Sequence, residues 1–248
     1  MHTLRLMHAH ALRSIRCALA ALLVSLAALP SHAQNGGSIF VTPYPGSPFS
    51  ATVHVVRTDL AANGTTRVLW SQRQIARDST GRIYNEFRPF VPETNDQIPP
   101  IGSIHLYDPQ NRMSEMLYPQ RKTYQMSILL RPPSTDVPDD YASTTALSAQ
   151  PSQYTRQEDL GDREINGLQA HGVRITQTLP AAMSGTGKEA TVVNEYWYAA
   201  ALRLNLLVKH SDSRSGSLTT TVTGINRTEP SADLFGVPAD YLFVGQAR

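Results

Sequence analysis

Residues Glu189–Ser211 read EATVVNEYWYAAALRLNLLVKHS, and this stretch decides the fold. It reads as two long strands joined at Ala199–Ala201. In the second strand Leu202, Leu204, Leu206 and Val208 fall on one face, while Arg203, Asn205 and Lys209 fall on the other. That is a period of two, which puts one face against a core and the other against water or a second layer. The first strand carries Tyr196, Trp197 and Tyr198, the densest aromatic cluster in the chain, and aromatic side chains favour half-buried pleated surfaces.

The residues around this hairpin repeat the pattern. Thr52–Thr58 ends at an Asn63-Gly64 turn, Thr65–Ala76 follows, and Asp78–Gly81 turns the chain into Arg82–Arg88. Beyond a proline-punctuated loop, Pro89–Gly102, comes a meander of Ser103–Tyr107, Met113–Tyr118 and Lys122–Leu130. Gln153–Asp159 and Ile165–Leu179 form the next pair, with Gly161 and Asn166-Gly167 as punctuation. Ser217–Arg227 alternates again; Ser231–Val237 allows one helical turn before Tyr241–Val244 docks back. No helix of ten or more residues is expected after the first thirty-three. Strands at this spacing with turn chemistry between them predict a mainly β domain, a barrel or strongly curved antiparallel sheet.

The N-terminal 33 residues belong to a different kind of segment. His2, Arg5, Arg13 and Arg16 form a basic start without an acid, Cys17–Leu29 is uncharged and apolar, and Ser31-His32-Ala33 is a small-residue exit. This three-part pattern predicts a secretory signal cleaved near Ala33, and hence a periplasmic or secreted protein. The apolar run is too short for a bilayer-spanning helix of about 20 residues. Three arginines leave with the leader, so the formal net charge of +2 becomes slightly negative. No basic field then remains for nucleic acid or anionic lipid. The single cysteine, Cys17, leaves as well, so the rest has no disulfide and no thiolate metal site. Organisation is expected as a signal peptide over 1–33, a flexible lead-in over 34–51 and a single β domain over 52–248. Within that domain, Arg131–Ser152 lacks periodicity, is rich in Pro, Ser, Thr and Asp, and reads as a loop or a short-helix insertion over one end of the sheet, a lid candidate.

Catalytic patterns are absent from the sequence. His54, His105, His171 and His210 are too far apart for a helical metal pair, and no G-x-S-x-G elbow occurs. Gly185-Thr186-Gly187-Lys188 resembles a phosphate loop, but Glu189 stands where a magnesium-binding hydroxyl belongs. Asp139, Asp140, Asp159 and Asp162 are loop acids without calcium-loop spacing, and a hydrolase built on them is the weakest reading. No catalytic residue, metal or cofactor is therefore assigned. Aromatic and aliphatic side chains carry more information. A sheet that curls without helices on its inner face must fill that face with side chains or with something apolar. Trp70, Tyr124, Trp197, Tyr198, Leu204 and Leu206 are the residues expected to line such a cavity.

Several runs resemble the exported lipoprotein-carrier, or LolA-like, superfamily. They are Tyr107-Asp108-Pro109 with Tyr118-Pro119-Gln120-Arg121-Lys122-Thr123-Tyr124, then Leu160-Gly161, Ile165-Asn166-Gly167 and Gly172-Val173-Arg174. Glu195-Tyr196-Trp197-Tyr198 and Leu202 continue the order. Arg77-Asp78-Ser79 with Gly81-Arg82, and the closing Glu229-Pro230, Leu234-Phe235, Val237-Pro238 and Tyr241, are similar to uncharacterised secreted bacterial relatives. The resemblance implies an open, strongly curved half-barrel of about eleven strands, with a hydrophobic concave face capped by short helices. It also implies an envelope protein that binds an acyl chain or a lipidated protein, or one that senses envelope stress; the alternative is a protein-interaction or stress-regulatory module with a packed core and no ligand.

Overall fold

The computed structural model describes residues 39–129 and 153–246. The leader with its cleavage site, and the Arg131–Ser152 stretch with Asp139 and Asp140, lie outside the described residues. Thirteen strands form one sheet. The first seven are β1 (Phe49–Leu60), β2 (Thr66–Arg77), β3 (Ile83–Phe87), β4 (Val91–Pro92), β5 (Ser103–Asp108), β6 (Met113–Tyr118) and β7 (Thr123–Ile128). The rest are β8 (Thr155–Ile165), β9 (Leu168–Leu179), β10 (Ala190–Ala199), β11 (Leu204–Asp212), β12 (Gly216–Asn226) and β13 (Leu242–Gln246). Their order across the sheet is β13-β7-β6-β5-β3-β2-β1-β12-β11-β10-β9-β8, with β4 pairing β2. Two meanders, one before and one after the 131–152 stretch, are thus zipped together along β1 and β12. All pairs are antiparallel except β13 on β7.

The count exceeds the expected eleven by two short strands, of which only the first was not anticipated from the sequence. Val91–Pro92 is a two-residue pairing inside a proline-rich loop, and β13 is the docking tail. Gly161 does not separate two strands as its punctuation suggested. Its φ of +71° places it in a bulge between Asp159 and Gly161, and β8 runs on to Ile165 before turning at Asn166-Gly167. A glycine in the left-handed region is the usual means of absorbing one extra residue in a ladder. Among the described residues the only helical element is a 3₁₀ turn at Ala232–Phe235, so the short capping helices implied by the resemblance are not seen there.

Hydrogen bonds across chords measure how far the sheet curls. The Arg77 guanidinium on β2 donates to the Leu202 carbonyl, just before β11, at 2.9 Å. Three strand spacings separate β2 from β11, about 14 Å in a flat sheet, which is beyond the reach of one side chain. Asn166 Nδ2, in the β8–β9 turn, likewise donates to the Val222 carbonyl on β12 at 2.6 Å, again three strands away. The sheet is therefore strongly curved, and the face carrying Arg77 is its concave face.

Two apolar clusters form, the larger lining the concave face and also taking in Trp197 from the other side of the sheet. The concave one gathers Phe49, Ala51, Val53, Ile75, Ile83, Tyr107, Tyr196, Leu204, Leu206, Val208 and Val222 with Ile39 and Val41. The other lies behind β3, β5, β6 and β7, where Ala76, Tyr84, Leu106 and Leu117 pack under Phe235 of the 3₁₀ turn. Covering a side chain the size of Phe235 contributes about 1.5–3 kcal/mol, enough to hold the tail on the sheet. A second tie comes from the Asp78–Gly81 turn. Glu229 accepts hydrogen bonds from both the amide and the hydroxyl of Ser79, while Asp78 accepts from Thr80 and Arg82. Burial alone would raise the Asp78 carboxyl, but those hydrogen bonds outweigh it and hold the group below its ordinary value.

Candidate functional site

The concave face is built by strand parity. On β1 the inward residues are Phe49, Ala51, Val53 and Val55, and on β2 they are Arg77, Ile75, Arg73 and Ser71, each pair opposed in register. Val222 of β12 lies opposite Val53, and Val208 of β11 shares its face with Leu204 and Leu206. These side chains are closed from water: Phe49, Val53, Leu206 and Val222 are 0% exposed.

What closes them is an extended lead-in, residues 39–48, with no strand partner of its own. Ile39, Val41 and Thr42 are buried against the sheet while Phe40 points outward. Arg77 clamps this segment. Its Nε and Nη2 donate to the Ser47 carbonyl at 3.0 and 2.7 Å, and its Nη1 donates to the Thr42 carbonyl at 3.0 Å. Together with Leu202, three backbone carbonyls from two chain segments converge on one guanidinium. Arg77 is 0% exposed, and burial pulls its pKa down to about 10, still well above neutrality. Tyr44 sits under Arg203 at 3.9 Å from ring centroid to guanidinium, a further tie between the lead-in and the β10–β11 turn. Sequence reading passed over Arg77 and Arg73, although alternation with Ile75 would have put both on an inner face.

The six expected lining residues are not brought together. Leu204 and Leu206 lie on the concave face, and Tyr198 is buried beside a bulge opposite that strand. Trp70 pairs with Val56 on the opposite face, and its indole donates to the Asn95 carbonyl at 2.7 Å, anchoring the loop after β4. Tyr124 is opposite Leu117 in the second cluster, with Phe243 of β13 tilted against it at 5.4 Å. Trp197 pairs with Gly172 and Leu207, the face away from Leu206.

Trp197 has a built environment of its own. Its ring lies flat over Gly172, the Arg163 guanidinium covers it at 3.6 Å, and its Nε1 donates to Glu195 at 2.8 Å. Glu195 also takes Arg174 at 2.9 Å and Lys209 at 3.4 Å. Burial would raise the Glu195 carboxyl, but Trp197, Arg174 and the Lys209 charge hold it below its ordinary value. The glycine was the readable signal, since glycine inside a strand marks a close approach.

Of the acids weighed for catalysis, Asp159 and Asp162 lie within β8 rather than in a loop, and flank His171 at 3.3 and 2.8 Å on an exposed edge. Among the described residues no group of three or more His, Cys, Asp and Glu is placed to hold a metal ion. No helix among them is long and apolar enough to cross a membrane.

No family model matches the chain, and no curated protein does. Solved structures do. The complex of Pseudomonas aeruginosa MucA and MucB is 13% identical, over 78% of this chain and 56% of that one, with a TM-score of 0.38. The chain thus spans little more than half of that protein's length. A LolA superfamily protein from Nitrosomonas europaea is 11% identical over 78% of this chain and 91% of its own, with a TM-score of 0.30. LprF from Mycobacterium bovis is 12% identical over 75% and 90%, with a TM-score of 0.30. Likenesses of this size carry no argument of their own; the architecture rests on the strand order and register above. The superfamily that the sequence resembles, LolA-like, is thus named among the solved structures to which this chain is similar.

Proposed function

We propose that this is an exported, non-enzymatic envelope protein that binds an apolar ligand, a lipid acyl chain or the acyl group of a lipidated protein, on its concave face. One observation carries the reading. Apolar inward side chains are closed off by an extended segment without a strand partner, clamped by Arg77 and tied to the β10–β11 turn through Tyr44, Thr42 and Ser47, not by a packed second layer. Such a segment can be displaced without breaking any strand pairing. Leu204, Leu206, Val208 and Val222 would then meet the ligand, and Tyr198 at the bulge borders them. Trp70, Tyr124 and Trp197, on the opposite face, are left out of the proposed lining.

The alternative is a protein-docking module in which the same closure is permanent. Its support is that the chain's own segments bury these side chains fully. Titration with a fluorescent fatty acid separates the two. The binding reading expects saturable binding that weakens about tenfold or more when Leu206 becomes the smaller Ala, since truncating a buried leucine costs 2–5 kcal/mol where it packs. An absence of saturable binding favours permanent closure.

A further inference from the structure

β8 is the outermost strand on its side of the sheet and pairs only with β9. Its ladder carries one extra residue. Asp159 lies opposite Val173 and Asp162 opposite His171, three positions along β8 against two along β9. In a straight strand, residues three apart point to opposite faces. The bulge at Gly161 removes that difference and turns both carboxylates toward His171. The Gly161 amide also donates to Asp159 Oδ1 at 2.7 Å, so the carboxylate that meets the imidazole also holds the bulge.

The ring between the two acids is short of protons unless it is charged. Its Nδ1 lies 2.8 Å from Asp162 Oδ1, and its Nε2 lies 3.3 Å from Asp159 Oδ1. An ionised carboxylate only accepts, and a neutral imidazole has a single N–H. With the proton on Nδ1, the lone pair of Nε2 meets Asp159; with the proton on Nε2, the closer contact to Asp162 turns repulsive. Only the imidazolium donates to both. Strand parity places Glu164 of β8, Gln169 and Val173 of β9 and Tyr198 of β10 on the same face as the ring. None of these carries a positive charge, and Glu164 adds a third acid. Tyr198 in turn neighbours Arg77, which also feels Arg203. Glu158, Arg163 and Arg174 alternate onto the other face.

We propose that His171 is a proton-operated latch on the β8 bulge. As the imidazolium it ties Asp159 to Asp162 and holds the free edge of the sheet; on losing its proton it keeps Asp162 and releases Asp159. The device goes beyond the ligand reading, since it stands on contacts of the sheet edge alone. Histidine ordinarily titrates near 6.5, and neighbouring carboxylates favour its charged form. The stabilisation is therefore fully present below about pH 6.5 and is lost as the pH rises through the midpoint of the folded chain. Side-chain exposures of 39% for His171 and 72% and 73% for the two acids make the effect the modest one of solvent-facing pairs.

Hydrogen exchange over residues 159–163 and 170–173, corrected for the intrinsic pH dependence of exchange, tests the latch at about pH 5.5 and about pH 8, on either side of the histidine range. Wild-type protection is expected to be about threefold to tenfold higher at the lower pH, the scale of two exposed ion pairs. Asp159→Asn keeps an acceptor for the Gly161 amide and gains an NH₂ that can donate to a neutral Nε2. Its protection is expected to be nearly independent of pH, and so is that of His171→Gln, which has nothing to titrate. Nitrogen-15 NMR of the His171 ring supplies the second readout. Its titration midpoint is expected to fall in Asp162→Asn, which keeps an acceptor but removes a charge. Equal wild-type protection at both pH values would overturn the proposal. So would a pH dependence that survives in His171→Gln, which would belong to another group. A His171 midpoint unmoved by both Asp→Asn substitutions would overturn it as well, because the ring would then not sense the acids.

Discussion

Replacing Arg77 with Met is expected to lower the unfolding free energy by about 3–5 kcal/mol, the range for stranding buried partners of a charged group. The substitution keeps much of the side chain's length and removes its donors. The carbonyls of Thr42, Ser47 and Leu202 are then left in a site that water does not reach. Each such group costs about 1–3 kcal/mol when unsatisfied. Relief from burying the cation offsets part of that sum. Because those carbonyls come from the lead-in and from the β10–β11 turn, the loss is expected to loosen both. Urea unfolding followed by circular dichroism reads the first effect, and hydrogen exchange over residues 39–48 and 200–203 reads the second. A midpoint shift worth less than about 1 kcal/mol, the scale of one ordinary hydrogen bond, would mean that the clamp is not what closes the concave face.

Substitution of Gly172 by Ala is expected to cost about 1–3 kcal/mol, the usual range for overpacking. A Cβ there would meet three atoms of the Trp197 ring at 2.7 to 2.8 Å. The ring cannot simply slide, because Arg163 covers its far side and Glu195 holds its N–H. It must lift, and in lifting it loses the cation–π contact and opens the Glu195 network to water. Intrinsic fluorescence reports this directly: emission from the buried Trp197 is expected to move to longer wavelength, while half-buried Trp70 stays constant. An unchanged spectrum with unchanged stability would contradict the geometry of that pair.

Much of this architecture was legible in the residues, and the rest was not, for identifiable reasons. Local patterns gave the strands: the alternation of Leu204, Leu206 and Val208 and the Asn166-Gly167 turn depend on neighbours in sequence, whereas the expected docking of Tyr241–Val244 is met by a parallel pairing with distant β7. The hairpin differs in its turn, where Leu202 is not the first residue of a strand but a fully buried turn residue beside Arg203 at φ +49°. Curvature was expected, but its direction is a property of the whole sheet, fixed here by contacts between residues more than fifty positions apart. That is why Trp70, Tyr124 and Trp197 could be recognised as packing residues and yet be assigned to the wrong side of the sheet from Leu204 and Leu206. Adjacent aromatic residues such as Tyr196 and Trp197 must point to opposite faces of a regular strand, and parity alone does not say which face curls inward. The two inward arginines were hidden by their chemistry, because charged residues are ordinarily placed outside.

The account turns on whether the closed concave face admits an acyl chain. The most direct measurement incubates the purified protein with mixed phospholipids and free fatty acids, re-isolates it by gel filtration and quantifies the retained lipid by mass spectrometry. Displacement of residues 39–48 by a ligand predicts about one acyl lipid retained per chain, consistent with a single site of this kind. Retention no greater than that of an unrelated β-sheet protein would contradict it, and would mean that the lead-in and the sheet form one permanently packed core.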